Sequence, residues 1–120
     1  PGSERAEAEY NLGRLLAAAG RPAEAEEHLG RAVTARPNLA AAWHHLGEVR
    51  AALGRTDEAL SCWRHALEID PTYTASYVSL GRALLARGDR AGALRWLRHG
   101  ARAAASPEQV SAALRLAEGG

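Results

Sequence analysis

Five histidines and one cysteine are the first candidates in this chain for metal ligation or for acid–base and nucleophilic chemistry. Their spacing argues against all three. His44 and His45 are adjacent, so they leave a helix in different directions and cannot easily share a metal. His65 and His99 stand 34 residues apart, as do His28 and Cys62. No pair has the i, i+4 spacing of a helical zinc motif. No Ser/His/Asp pattern with a supporting motif occurs, and no glycine-rich loop is placed to cradle phosphate. Cys62 is single, which excludes an internal disulfide. The expectation is no catalytic residue, no metal, no cofactor and no enzymatic activity.

Charge offers a second kind of chemistry. Arg95, Arg98 and Arg102 are spaced to share one exposed helix face, a secondary basic patch for a phosphate or an acidic partner. The plainer alternative is a solvated face, since cations near a helix C-terminus are favourable in themselves. All 15 basic residues are Arg, and the formal net charge is only +1. Residues 6–39 carry −1, residues 40–73 carry −2 and residues 74–107 carry +5. With no interleaved aromatics and no recognition motif, nucleic acid is not an expected partner. No apolar run approaches the ~18 residues that span a bilayer, so a membrane is not expected either. The balance favours a cytoplasmic location. An acidic front and a basic back also allow head-to-tail self-association.

The elements that position these groups follow a strict period. Gly13, Gly47 and Gly81 form one series, Gly20, Gly54 and Gly88 a second, and Ala25, Ala59 and Ala93 a third. Leu12, Leu46 and Leu80 keep step, as do Leu29, Trp63 and Leu97. A 34-residue repeat holding two helical segments signals stacked helix–turn–helix units. The chain has 28 Ala, no Phe and no Met, which suits close helix packing; this composition and the absence of Lys point to a GC-rich, bacterial coding sequence. The fold class is therefore all-α, with about seven helices.

The first helix is expected from Ser3 or Glu4 to Ala19, with Leu12, Leu15, Leu16 and Ala19 inside, and the second over 22–35, burying Ala25, Leu29, Ala32 and Val33. Helices over 39–53 and 56–69 follow, with Thr56 as N-cap, then helices over 73–87 and 89–103, with Asp89 as N-cap. Gly100 replaces the alanine of the series Ala32, Ala66, and Ala105 the proline of the series Pro37, Pro71. The sixth helix is therefore expected to fray or run long. Ser106 and Gln109 form a capping box, with Pro107 in the first turn of a last helix. There Val110, Ala113, Leu114 and Ala117 make an apolar stripe. Residues 1–3 are read as a cloning scar on a piece excised from a longer protein. Three repeats (6–39, 40–73, 74–105, within 4–105) and a capping helix (106–118) follow, with Gly119-Gly120 as an end; the alternative for the last helix is a truncated first helix of a fourth repeat.

The chain resembles tetratricopeptide-repeat proteins. The resemblance rests on Trp43, Leu46, Gly47, Ala59, Trp63, Ala66 and Pro71 in the middle unit. Leu12, Gly13, Ala25, Leu29, Ala32 and Pro37 precede them, and Tyr77, Leu80, Gly81, Ala93 and Leu97 follow. Arg50 departs from the pattern where Leu16 and Leu84 stand in the flanking repeats; its stem is expected to pack and its guanidinium to reach water.

The resemblance implies a right-handed superhelix whose first helices line a concave groove for a peptide or partner domain. The family's groove positions correspond here to Tyr10, His44 and Val78, and one turn further on to Arg14, Glu48 and Arg82. Small residues line the floor. An acidic ligand group between Arg14 and Arg82 fits if it displaces Glu48; otherwise Glu48 pairs with the two arginines. The family's clamp for chaperone C-termini maps to Tyr10, Arg14, His45, Ala75 and Ser79. Only Arg14 could grip a carboxylate strongly, so that ligand is not expected. The alternative function is a spacer or scaffold segment of a larger protein, enzymatic or not.

Overall fold

A computed structural model describes residues 2–119. Pro1 and Gly120 lie outside these residues, and with them part of the expected leading scar and of the expected glycine end. The described residues form seven helices and no strand: α1 Gly2–Ala18, α2 Pro22–Ala35, α3 Ala40–Ala52, α4 Thr56–Ile69, α5 Thr74–Ala86, α6 Arg90–Ala103 and α7 Pro107–Gly119. Helices α1–α4 make one compact unit and α5–α7 a second. The bounds of α2 and α4 match the expected ones.

Each pair closes on a glycine that the backbone requires. Gly20, Gly54 and Gly88 have φ of 78°, 80° and 87°, a region that L side chains avoid. In the first unit α2 contributes Ala25, Leu29, Ala32 and Val33 to a core completed by Ala42, Leu46 and Val49 of α3 and Cys62 of α4. Burying a leucine of this kind stabilises by about 1.5–3 kcal/mol. Helices α3 and α4 approach so closely that a Cβ at Gly47 would stand 2.6 Å from the Trp63 indole nitrogen. The Trp43 indole N–H donates to the Pro37 carbonyl at 2.8 Å, fixing the turn before α3.

The α1 face differs from the expectation. Leu12 is 42% and Leu15 67% exposed, and Ala19 is exposed too; Ala6 and Gly13 are the buried positions, with Leu16 half-buried. Leu46, one period after Leu12, shares its core with α2 residues. Among the described residues α1 has no earlier helix to cover that side. Thr56 also sits one place later than expected. The Arg55 carbonyl accepts the first helical bond from Ala59 at 3.1 Å, so Arg55 holds the cap position and Thr56 is the first helical residue.

In the second unit α7 packs on both α5 and α6. Asp89 caps α6 as expected, its side chain accepting from the Gly92 N–H at 2.9 Å. Helix α6 neither frays nor overruns; it ends at Ala103, one period after Ile69. Gly100 is the reason. A Cβ there would stand 2.6 Å from the Tyr77 Cγ, so the missing methyl seats a buried ring. The Tyr77 hydroxyl donates to the Pro71 carbonyl at 2.6 Å.

The expected capping box at Ser106 is replaced by another arrangement. The Ser106 N–H, which a capping-box glutamine would accept, donates to Thr74 Oγ1 at 2.9 Å. The neighbouring Ala105 N–H donates to the Thr72 carbonyl at 2.8 Å. Val110 and Ala117 are buried, with Ala113 and Leu114 half-buried, so the α7 stripe faces inward.

Candidate partner-binding face

Tyr10 and Arg14 lie one turn apart on α1, and His44, His45 and Glu48 lie on α3, all in the first unit. The Arg14 guanidinium stands over the Tyr10 ring, 5.1 Å from its centroid. The Tyr10 and His45 rings are 5.6 Å apart, and the His45 and His44 rings 5.2 Å apart in an edge-on arrangement. Four groups therefore run in sequence: guanidinium, phenol, imidazole, imidazole.

The adjacent histidines meet rather than diverge, and they differ in exposure. His44 is 5% exposed, with Nε2 3.7 Å from Glu48 Oε1, so it offers a partner almost no surface. The half-buried neighbour His45 is the ring on Tyr10, a contact role that helical spacing alone did not single out. Burial lowers the pKa of His44 to about 4. The same cause, with His44 and Arg14 adding to it, lowers His45 to about 4. Both rings are neutral at pH 7. Burial raises the Tyr10 pKa, against the pull of Arg14.

Arg14 is the cation of this face, and its engagement is light. Its guanidinium hydrogen bond to Asn11 Oδ1 is 3.5 Å long. Among the described residues no carboxylate pairs with Arg14, so the pairing with Glu48 considered from sequence does not form on this side. The face can thus accept a carboxylate at Arg14 and stack against Tyr10 and His45.

Val78 and Arg82 lie on α5 in the second unit. They line a cleft of about 190 Å³ with residues of α6 and α7. Arg82 is exposed and, among the described residues, has no ion pair. The basic patch is partly engaged: Arg98 Nη2 is 3.5 Å from Glu118 Oε2, while Arg95 and Arg102 are exposed.

Arg50 corrects another expectation. Its guanidinium turns to carboxylates instead of open water, with Nε 3.2 Å from Glu26 and 3.7 Å from Glu58, and Nη1 3.4 Å from Cys62 Sγ. Partial burial would raise the Glu26 pKa, but hydrogen bonds from Arg55 and Arg50 outweigh it and hold the carboxyl below its ordinary range. Burial pushes the Cys62 thiol up. Among the described residues no group of three or more His, Cys, Asp or Glu could hold a metal, and no helix is long and apolar enough to cross a membrane.

Three antiparallel helix pairs at a 34-residue period, followed by a seventh helix, define a helical-repeat protein. Two tetratricopeptide-repeat family models match residues 38–106 and 6–49, and the chain belongs to that family. Among solved structures it is similar to MamA, at 26% identity and a TM-score of 0.80 over 93% of this chain. The chain spans 63% of the MamA chain. It is also similar to the TPR2B domain of yeast Sti1 in complex with pHsp70, at 20% identity and a TM-score of 0.86, covering 98% of each chain. The first TPR of Spaghetti (RPAP3), bound to the HSP90 peptide SRMEEVD, aligns at 18% identity and a TM-score of 0.86 over 98% of this chain and 95% of that one. A comparison with curated proteins found no match.

Proposed function

We propose that this chain is a protein-interaction module that binds a peptide or partner domain and performs no chemistry of its own. The observation that carries this reading is Arg14: an exposed cation held on the Tyr10 ring, with no carboxylate on it among the described residues. A cation positioned this way recognises an acidic group, and the neutral His45 beside it adds a stacking surface. Tyr10, Arg14, His44 through its hold on His45, and Glu48 form the contact in the first unit. Val78 and Arg82 form a second contact in their own unit. The same fold carries pHsp70 in the Sti1 structure and an HSP90 peptide in the Spaghetti structure, which supports the general class of ligand.

The test is capture from a lysate of the source organism by wild type and by a variant carrying Tyr10→Ala, Arg14→Glu and Arg82→Glu. All three side chains are exposed or half-exposed, so circular dichroism should show unchanged helicity. A partner captured by wild type and lost by the variant is the expected result. Equal capture by both would overturn the assignment of these residues.

A further inference from the structure

We propose that the cleft between α5 and α7 takes one aliphatic side chain of a partner segment, with a neighbouring side-chain carboxylate held by Arg82. The inference rests on the protein-binding reading and names the ligand chemistry of the second unit. Val78 and Leu85 of α5, Leu97 of α6 and Leu116 of α7 supply the apolar walls, and Ala112 and Ala113 keep the α7 side shallow. The volume, about 190 Å³, exceeds the ~150 Å³ apolar cavity that suffices for benzene, so one leucine side chain fits.

Two polar side chains line the cleft, Arg82 and Gln109, and neither is acidic. Arg82 has no ion pair among the described residues, so a carboxylate arriving there displaces no internal one. Glu108 of α7 is an exposed acid beside Gln109, and the other two acids nearby are already engaged. Asp89, the one acid of residues 74–107, caps α6, and Glu118 on α7 takes Arg98 and, through its carbonyl, Arg90. Residues 70–120 carry seven Arg against four acids, a balance that favours an acidic segment. Leu116 is 79% exposed at the edge of the cleft, an apolar surface that a bound aliphatic group would cover.

The probe is acetyl-Glu-Leu-Glu-Glu-amide, capped so that its negative charges are side-chain carboxylates. It is titrated into the ¹⁵N-labelled protein and followed by amide chemical shifts. Shifts concentrated at Leu85, Gln109, Ala112, Ala113 and Leu116 are expected. Replacing the peptide leucine by serine should weaken binding at least about ten-fold. Arg82→Gln should weaken it about five-fold, with the loss shrinking as salt is added. Leu116→Ser, at an exposed site, should weaken it without unfolding the domain. Absent shifts, shifts centred on Tyr10 and His45, or equal binding of the serine peptide would overturn the proposal. A lysate partner lost on Arg14→Glu but kept on Leu116→Ser would preserve the general function and sink the cleft.

Discussion

Helix pairs α3–α4 and α5–α6 solve one packing problem with different side chains. At equivalent positions Trp43 and Tyr77 each donate to the carbonyl of the proline six residues earlier. Gly100 lies against Tyr77, and Ala66 holds the equivalent position one period earlier. Trp43 keeps part of its indole at the surface, whereas Tyr77 is 1% exposed, its ring lying where an alanine methyl would be. The period fixes where an aromatic anchors the turn. The residue facing it decides how deeply that aromatic sinks, so the two positions must change together.

The largest expected effect tests that depth. Tyr77→Ala should cost about 3–5 kcal/mol, as for other large buried aromatics, and Trp43→Ala roughly half as much. Urea unfolding measures both, and equal losses would break the comparison.

A second difference is electrostatic. His44 occupies the position of Val78, and burial holds its ring neutral with a pKa lowered from 6.5 to about 4. Between those values the unfolded chain binds more protons than the folded one, so stability rises with pH and falls as acid is added. Thermal unfolding should therefore move to lower temperature from about pH 6.5 down to about pH 4, at up to ~1.4 kcal/mol per pH unit from His44, with His45 adding a similar contribution. His44→Val, copying the second unit, should remove about half of that slope; an unchanged slope would place the dependence elsewhere.

The smallest effect sharpens the role of the glycine. Gly100→Ala should destabilise by about 1–3 kcal/mol through crowding against Tyr77. Gly30→Ala, also within a helix but with nothing within 4 Å of the added Cβ, should stabilise by about 0.5–1 kcal/mol. Equal signs in a thermal-shift comparison would mean that ring seating is not what Gly100 provides.

These contrasts show what was legible in the sequence. Helix number, the bounds of α2 and α4, the α2 core and the Asp89 cap follow from backbone rules and periodicity that local residues obey on their own. Tyr10 and Arg14 were legible as neighbours because one helical turn separates them. What was not legible depended on a second element. Leu12 has the same type as Leu46 but, among the described residues, no earlier helix covers it. Arg50 looked like a surface departure until Glu26 and Glu58 came alongside. His44 and His45 differ in exposure, 5% against half-buried, because burial is set by packing and not by spacing.

Ala105 stands where earlier units carry proline, and the exchange supplies an amide hydrogen that Pro37 and Pro71 do not have. That hydrogen is given to Thr72, beside the bond from Ser106 to Thr74. The connection into α7 is thus laced to the turn that opens α5. Its rate of deuterium uptake becomes a clock for how often the lacing loosens, a signal that a proline-ended repeat cannot emit.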